Sequence, residues 1–274
     1  MTSSPPPKTV AFIGGGNMAS AIIGGLRRQG MAAAQFIVIE PLASQRDKLS
    51  SDFGITALEQ PSKALARAQQ IVWAVKPQTF REAAAQVAAH TKEALHLSVM
   101  AGITSSSMAQ QLATQRIVRA MPNTPALIGK GIAGLYARAG VSEADQRSIE
   151  ALIATTGEHL WVTDESHLDA VTALSGSGPA YVFFFIESMM RAGQSMGLSE
   201  AQSRQLAQST FAGAAELARQ SHDSPEVLRQ RVTSKGGTTY AAITAMQDSL
   251  VGQHFEQALR AAGARAAELG REFG

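Results

Sequence analysis

A glycine-rich segment near the start of the chain has the residue types and spacing for nucleotide chemistry. It runs Phe12-Ile13-Gly14-Gly15-Gly16-Asn17-Met18-Ala19 and contains a G-x-G-x-x-A pattern. One glycine of such a pattern makes a tight turn, another lets a pyrophosphate approach the backbone, and the small third residue lets helix and strand pack closely. We predict that residues Ile13 to Met18 bind the pyrophosphate of a dinucleotide at a helix N-terminus. The alternative is a glycine-rich turn without a ligand.

Glu40 ends the second predicted strand, at about the distance from the glycines where a carboxylate accepts from the adenosine ribose hydroxyls. Because a carboxylate repels a 2′-phosphate, Glu40 favours NADH over NADPH. Arg46 offsets this preference if its side chain folds back, so NADPH or NADH remains open. The alternative is that Glu40 is a solvated residue before Pro41.

Three further segments follow predicted strands, and ligands of open α/β sheets bind beyond the carboxyl ends of the strands. These segments predict the remaining cofactor-binding residues, which are Ala74, Val75, Lys76, Pro77, Ala101, Gly102 and Asn123. The alternatives are a solvated Lys76 and, for Met121-Pro122-Asn123-Thr124-Pro125, a turn that simply ends a strand.

Two segments in the second half have small residues ahead of a predicted helix, where exposed N–H groups form a ready site for a carboxylate. They are Ser175-Gly176-Ser177-Gly178-Pro179 and Ser234-Lys235-Gly236-Gly237-Thr238-Thr239. The alternatives are a kink between two core helices for the first, and a helix N-cap at Thr238 or Thr239 for the second.

The elements that position these residues change character near Thr163. From Lys8 to about Thr163, short apolar runs alternate with helical stretches, which predicts a Rossmann-type α/β domain with a parallel sheet covered on both faces. The predicted strands are Thr9–Gly14, Phe36–Glu40, Gly54–Ala57, Ile71–Val75, His96–Met100, Arg116–Met121, Ile132–Ala137 and His159–Val162. A helix is predicted near Ser62–Ala68, among others.

After Thr163 the periodicity is helical throughout. We therefore predict a disordered tail over residues 1–7, a dinucleotide-binding Rossmann domain over 8–163 and an all-α dimerisation and substrate domain over 164–274. Ser199 and Gln202 form a capping box for one of its helices. The helix Ala180–Met190 is apolar around more than one stripe, which predicts an obligate dimer through this half.

Composition excludes several function classes. A net charge of +2 and 5% aromatic residues argue against a nucleic-acid partner. The absence of Cys excludes disulfides and thiolate chemistry, and the six His lack the i,i+4 pairing of metal ligands, so no metal site is predicted. No apolar run is long enough to span a membrane, and no signal peptide is visible. We expect a soluble cytoplasmic protein.

Taken together, these motifs resemble those of the pyrroline-5-carboxylate reductases, over nearly all of the chain after Lys8. The similar segments include Ala74-Val75-Lys76-Pro77-Gln78 and Asp169-Ala170-Val171-Thr172-Ala173-Leu174-Ser175-Gly176-Ser177-Gly178-Pro179. The resemblance implies a Rossmann domain followed by a helical dimerisation domain, with dimers often assembling into rings. It also implies hydride transfer from NADPH or NADH to the C=N bond of 1-pyrroline-5-carboxylate, giving L-proline.

The resemblance also implies roles for single residues. The substrate carboxylate would bind the turn at Gly236, Gly237 and Thr238, and Thr239 matches the proposed proton donor. The other residues that it places near the substrate are Glu165, Ser175, Gly176, Ser177, Gly178, Pro179 and Ser234. The family has proline where this chain has Lys235, which adds a cation near the carboxylate site.

The sequence leaves two alternatives to an imine reductase. A β-hydroxyacid dehydrogenase-like oxidoreductase uses a lysine on the first helix of its second domain. Here Lys130 and Lys235 are the only lysines beyond Glu93, so this interpretation is poor. A non-catalytic dinucleotide-sensing protein would keep the glycine loop but not the Ser/Gly/Thr turns, both of which are present.

Overall fold

The computed structural model describes residues 8–273, so the predicted disordered tail 1–7 lies outside the described residues. Its strands are β1 (Val10–Ile13), β2 (Phe36–Ile39), β3 (Gln70–Trp73), β4 (Leu95–Ser98), β5 (Ile117–Met121), β6 (Gly131–Ala137) and β7 (Gly157–Trp161). Its α-helices are α1 (Asn17–Arg28), α2 (Ala43–Phe53), α3 (Phe80–Val87), α4 (Ser105–Leu112), α5 (Glu143–Ile153), α6 (His167–Val171), α7 (Gly178–Ser195), α8 (Glu200–Gln220), α9 (Pro225–Arg231), α10 (Thr238–Asp248) and α11 (Val251–Phe273).

The seven strands form one sheet in the order β2-β1-β3-β4-β5-β6-β7. Strands β1 to β5 are parallel. Two buried apolar clusters lie on the two faces, one with Phe12 and Val72 and the other with Ile13 and Trp73. Helices therefore cover both faces, as sheets of this kind require, and the predicted Rossmann-type fold is confirmed.

The last two strands correct the prediction of an all-parallel sheet. Strand β6 runs antiparallel to β5, and β7 is parallel to β6. The reason is the connection after β5, which contains only a short 3₁₀ helix at Thr124–Ile128. A parallel crossover needs a dozen or more residues, usually an α-helix. This link is too short for one, so the chain reverses direction.

Two predicted local elements also differ. Gly54–Ala57 forms no strand; instead Leu58 alone makes a parallel bridge with Ile39 of β2. The bridge has two hydrogen bonds, Leu58 N–H to Val38 O at 2.7 Å and Glu40 N–H to Leu58 O at 2.8 Å. The segment therefore passes beside β2 at a single point, too briefly to form a ladder. The predicted helix Ser62–Ala68 is a 3₁₀ helix at Lys63–Arg67.

The chain divides into two compact units that differ from the predicted boundary at residues 163 and 164. The sheet unit contains residues 8–176 and 262–273, and the helical unit is Ser177–Ala261. Segment 164–176 belongs to the sheet unit because Val171 lies against Gly134 of β6. The end of α11 also belongs to it, since Leu269 lies against Gly102. Such long-range contacts leave no mark on the local periodicity.

The helical unit is built around α7 and α8. The predicted capping box is confirmed: Ser199 Oγ accepts from Gln202 N–H at 3.2 Å, and Gln202 Oε1 accepts from Ser199 N–H at 2.9 Å. Gly193 of α7 lets α8 approach, because a Cβ there would lie 2.7 Å from Ser203 Oγ. Phe255 packs edge-on against Tyr181 and Phe185, with ring centroids 5.8 and 5.6 Å away.

Large apolar side chains of the helical unit are exposed in the single chain. Among them are Phe183, Phe184, Leu206, Leu217, Val232 and Met246. An exposed apolar surface of this kind marks a site of interaction with another protein. This agrees with the predicted dimer through this half of the chain. Within residues 8–273, no helix combines the length and apolar character needed to cross a bilayer.

A buried histidine in the sheet makes stability depend on pH. His96 of β4 has no exposed surface, and its Nδ1 accepts from Trp73 Nε1 at 3.0 Å. Its Nε2 then donates to Thr91 O, also at 3.0 Å, which fixes the neutral tautomer. Burial is the main reason that the pKa of His96 falls to about 4; the Thr91 hydrogen bond opposes this shift, and the charge of Arg116 adds to it.

Between pH 6.5 and 4 the unfolded chain binds a proton at His96 that the folded chain does not. We therefore expect the free energy of unfolding to fall as pH falls through this window, by about 3 kcal/mol for this one group. Denaturant unfolding at fixed protein concentration should show this loss in the wild type and not in His96→Asn. The exposed His222→Asn variant is the control and should keep the full loss. An unchanged pH dependence in His96→Asn would contradict this account.

Candidate active site

The carboxyl ends of four parallel strands meet at one edge of the sheet. The register places Ile13 beside both Ile39 and Trp73, and Trp73 beside Ser98. From β1 the chain moves outward to β2 and then returns to β3 on the other side. Ligands of open α/β sheets bind in the crevice at such a switch point. The predicted glycine loop after β1 therefore lies where a dinucleotide would bind.

The three glycines of the loop have different surroundings. Gly14 has φ +95°, and a Cβ there would lie 2.6 Å from Ala74 O, so the loop contacts the end of β3. At Gly15 a Cβ would lie 2.7 Å from Leu49 Cδ1. At Gly16 it would meet no atom within 4 Å. Gly14 is therefore required by the protein itself, Gly15 is close only to the end of the Leu49 side chain, and the space beside Gly16 is open to a ligand.

Gly16 is also the N-cap of α1, and no side chain caps this helix. The first turn contains no acidic residue. Backbone N–H groups and the helix dipole therefore favour an anion at this end. Sequence reasoning missed Gln45, whose Nε2 donates to Gly15 O at 2.5 Å and supports the loop from α2.

Glu40 follows β2 directly and is buried beside the glycine loop. Its Oε2 accepts from Gly15 N–H at 2.8 Å, and its Oε1 accepts from Leu42 N–H at 2.9 Å. A carboxylate has about four acceptor positions, so capacity remains for a ribose hydroxyl. Arg46 folds back, as its Nη1 donates to Glu40 O at 2.9 Å and to Pro41 O at 2.6 Å. The carboxylate of Glu40 and the guanidinium of Arg46 thus both lie at the carboxyl end of β2.

The other predicted cofactor residues also have structural tasks. Lys76 is exposed and is the N-cap residue of a 3₁₀ helix that begins at Pro77. Gly102, just after Ala101, has φ +75°, and a Cβ there would lie 3.2 Å from Leu269 O, so the end of α11 needs a glycine at this position. Asn123 Oδ1 accepts from Ile132 N–H at 3.0 Å, which holds the start of β6.

In the sheet unit, the predicted substrate residues lie on segment 165–176. Glu165 accepts hydrogen bonds from Ser105 and Arg119 at its start. The segment ends in a π-helical stretch at Thr172–Gly176, an irregularity that is frequent at functional sites. Ser175 Oγ donates to Val171 O at 3.0 Å, so its hydroxyl proton is already used within this stretch.

Electrostatics distinguish the two carboxylates of this segment. Burial opposes ionisation of Glu165, but the hydrogen bonds from Ser105 and the charge of Arg119 outweigh it and lower its pKa. Burial raises the pKa of Asp169; Arg119 opposes this shift, and the nearby negative charge of Glu165 adds to it. The pKa of Glu165 is therefore below, and the pKa of Asp169 above, the usual value for its residue type.

The helical unit contains the other predicted substrate residues. Ser177 precedes α7, which begins at Gly178 with Pro179 in its first turn. In the second segment Gly236 has φ +77°, and Gly237 N–H donates to Ser234 O at 3.0 Å, which closes a tight turn before α10.

The N-cap of α10 corrects one prediction. Gly237 is the N-cap, and no side chain caps the helix, so Thr238 and Thr239 are its first two residues and not caps. Gly237 is extended, with φ −82° and ψ 172°, a conformation suited to an N-cap. The hydroxyl of the half-buried Thr239 is thus not the cap, and the helix N-terminus offers N–H groups to a carboxylate.

The site offers chemistry without a metal ligand set. Residues 8–273 contain no group of three or more His, Asp or Glu side chains placed to hold a metal ion. What the structure does provide is a dinucleotide-type loop in the sheet unit and a hydroxyl at an uncapped helix start in the helical unit. Each feature favours an anion at a helix N-terminus: the first suits the pyrophosphate of a dinucleotide, and the second suits a carboxylate.

Comparisons with known proteins agree with this geometry. A family model described as "Pyrroline-5-carboxylate reductase dimerisation" matches residues 165–269, and one described as "NADP oxidoreductase coenzyme F420-dependent" matches residues 9–102. A pyrroline-5-carboxylate reductase of Pseudomonas aeruginosa is 45% identical over 267 residues, which cover 97% of this chain and 98% of that protein.

Two solved structures are similar over nearly the whole chain. A pyrroline-5-carboxylate reductase from Coxiella burnetii has a TM-score of 0.88 at 33% identity, covering 96% of this chain and 98% of that one. The pyrroline carboxylate reductase of Plasmodium falciparum, solved with NADP bound, has a TM-score of 0.86 at 24% identity and covers 97% and 100%. The second likeness concerns the fold.

Proposed function

The chain belongs to the pyrroline-5-carboxylate reductase family and has its NAD(P)H-dependent oxidoreductase activity, and we propose that its sheet unit holds the cofactor while Thr239 serves the substrate. The reaction is reduction of the C=N bond of 1-pyrroline-5-carboxylate to L-proline, the last step of proline biosynthesis. The observation that carries the assignment of residues is the uncapped start of α10, with Thr239 in its first turn.

The glycine loop fits a dinucleotide on structural grounds. Gly16 leaves open space at the uncapped start of α1, where the N–H groups of Asn17 and Met18 begin the helix. When bound, NADPH or NADH supplies a hydride from C4 of its nicotinamide. The other residues proposed to line this site are Ile13, Gly14, Gly15, Glu40, Ala74, Val75, Lys76, Pro77, Ala101, Gly102 and Asn123.

Glu40 is proposed to accept from the adenosine ribose, so its charge should disfavour a 2′-phosphate. We expect Glu40→Gln to raise the NADPH/NADH ratio of kcat/KM about fivefold or more, because the negative charge is removed; the single amide oxygen then accepts from Gly15 N–H or from Leu42 N–H, but not from both. Steady-state rates with both cofactors measure this ratio. Asp47→Asn, on exposed α2 surface, is the control and should leave it unchanged. An unchanged ratio in Glu40→Gln would remove the ribose assignment.

The substrate carboxylate is proposed to bind the N–H groups of Thr238 and Thr239 at the start of α10, beside the turn that Gly237 N–H closes with Ser234 O. The turn that exposes them is held by Ser234 and Gly236. Thr239 Oγ1 then forms a hydrogen bond with the ring nitrogen and orients it: the hydroxyl donates to the neutral imine, or accepts from the protonated imine, which needs no further proton when the hydride adds to carbon. Because an imine nitrogen readily carries a proton, the site needs positioning more than a strong acid. Residues Ser175–Pro179 are also proposed to contact the substrate.

The alternative function, a β-hydroxyacid dehydrogenase, is disfavoured by the sequence of α7. That enzyme class relies on a lysine of the equivalent helix, and α7, Gly178–Ser195, contains none. No observation favours a second function.

The match to the dimerisation model supports a homodimer with a small-molecule substrate. The exposed apolar side chains of α7 and α8 are the surface that a second subunit would cover. We further propose that dimers assemble into a larger ring, and that the enzyme works in the cytoplasm, where reduced nicotinamide cofactors are available. The mass of the particle in solution, by light scattering, tests the ring.

The assay that tests the function mixes purified protein with 1-pyrroline-5-carboxylate and either NADH or NADPH. We expect oxidation of the cofactor with L-proline as the product. Cofactor binding without turnover on this imine would contradict the proposed substrate, and 3-hydroxy (β-hydroxy) acids with the oxidised cofactor would be the next substrates to test.

A further inference from the structure

Arg119 is a charged residue in the middle of a buried strand, and the proposed chemistry does not use it. It is the third residue of β5, between Val118 and Ala120, and is 9% exposed. Its Nη1 donates to Glu165 Oε1 at 2.7 Å. Its Nε is buried and has no hydrogen-bond partner in the described part of the chain. A buried cation is costly unless it is paired, so an arginine here calls for a reason.

The partner of Arg119 is engaged entirely inside the sheet unit. Glu165 Oε1 also accepts from Ser105 N–H at 2.6 Å, and Oε2 accepts from Ser105 Oγ at 2.5 Å. Ser105 is the first residue of α4, which follows the loop of Ala101 and Gly102. Arg138 Nη1 donates to Ser105 Oγ at 3.1 Å and closes the cluster. Glu165 therefore links β5 to the start of α4.

The same face of β5 contacts segment 165–176 at its other end. Side chains alternate along a strand, so Arg119 and Met121 point to one face. Met121 Cε lies 2.8 Å from the position of a Cβ on Gly176. Between these two points, Val171 lies over Gly134 of β6 in equally close contact. The segment is thus held at its start, middle and end by neighbouring strands.

We propose that Arg119 is a positioning residue for the imine substrate, acting through Glu165 and Ser105. It holds the start of segment 165–176, which leads to Ser175 and Gly176, at a fixed place relative to the loop before α4. Glu165 then shapes the substrate side of the sheet unit without itself touching the imine. This inference rests on the proposed function, because it needs Ser175 and Gly176 to shape the substrate pocket.

The test replaces Arg119 by methionine, which is unbranched and flexible like the aliphatic part of arginine but carries no charge. We expect the KM for 1-pyrroline-5-carboxylate to rise about tenfold, while kcat and the Kd for NADPH change less than about twofold. Arg116→Met is the matched control, since Arg116 also pairs with a carboxylate at 2.7 Å but its side chain is 40% exposed. It should leave all three values unchanged. An unchanged imine KM in Arg119→Met would overturn the proposal.

A double-mutant cycle separates positioning from direct binding. If Glu165 acts only through the cluster, Glu165→Gln raises the imine KM as much as Arg119→Met does, and the double variant is no worse than either. A much larger effect of Glu165→Gln, or additive effects, would show that Glu165 contacts the substrate and would overturn the proposal. Ser105→Ala removes one donor of the cluster and serves if Arg119→Met does not fold; we expect a smaller rise of the same kind.

Hydrogen exchange provides a readout that does not depend on turnover. In Arg119→Met, amides of residues 165–176 should exchange faster than in the wild type, with exchange in β1 and β2 unchanged. If the wild type does not reduce the imine, the proposed function fails, and the exchange experiment still decides whether Arg119 holds the segment. Unchanged exchange would overturn the inference while leaving the proposed function intact.

Discussion

Replacing Thr239 by valine is expected to lower kcat about 100-fold, with little change in the Kd for NADPH. The substitution keeps the branched shape and removes only the hydroxyl. Thr239 lies at the second position of α10, where the cap is Gly237 and not a threonine side chain, so helix capping does not depend on this hydroxyl. The loss should therefore appear in the chemical step, which single-turnover measurements of NADPH oxidation report.

The controls for this prediction come from the same residue and the same helix. Thr239→Ser retains a hydroxyl and should keep most of the activity. Thr244→Val makes the same chemical change further along α10, at another half-buried position, and should leave kcat unchanged. Unchanged turnover in Thr239→Val would remove Thr239 from the mechanism.

The second large effect is expected at Gly16. An alanine there should weaken NADPH binding at least about tenfold, because the methyl group would occupy the open space that a pyrophosphate needs. The protein itself has no atom within 4 Å of that methyl group. The free energy of unfolding should therefore fall by less than about 1 kcal/mol, the cost of alanine at an N-cap. Fluorescence titration and denaturant unfolding measure the two quantities.

Alanine substitutions at two other glycines separate an effect on ligand binding from an effect on folding. Gly14→Ala should reduce stability as well as binding, since φ is +95° and the new Cβ would lie 2.6 Å from Ala74 O. Gly270→Ala, in α11 and also without neighbours within 4 Å, should leave the affinity unchanged and raise the free energy of unfolding by up to about 1 kcal/mol, because alanine is the better helix former. Normal NADPH affinity in Gly16→Ala would place the pyrophosphate elsewhere.

The parts of the site that depend on short stretches of chain were predictable from the sequence. The glycine loop, Glu40 and the strands β1 to β5 follow from spacing and periodicity, because a turn and the strand before it are set by neighbouring residues. The start of a helix after Gly236 and Gly237 was predictable in the same way, but the predicted threonine cap at Thr238 or Thr239 was wrong, since the N-cap is Gly237. A glycine can serve as the cap as well as a threonine.

The contacts that depend on distant residues were not predictable. The sequence contains no sign that Leu269 returns to Gly102, or that Asn123 holds the start of β6. Arg119 is an intermediate case. An arginine inside the apolar run Ile117–Met121 signals a buried partner, but only the structure shows that the partner is Glu165, which lies 46 residues further along the chain. A place near the substrate was predicted for Glu165, whereas no role was predicted for Arg119.

The central claim is hydride transfer from the nicotinamide to the imine carbon, and isotope labelling tests it most directly. The protein is incubated with 1-pyrroline-5-carboxylate and NADPH or NADH that carries deuterium on one face of C4, in ordinary water. Mass spectrometry and NMR of the product should show L-proline with one deuterium on C5, the former imine carbon, from one labelled face only. Proline without deuterium from either labelled cofactor, or no proline at all, would contradict the claim.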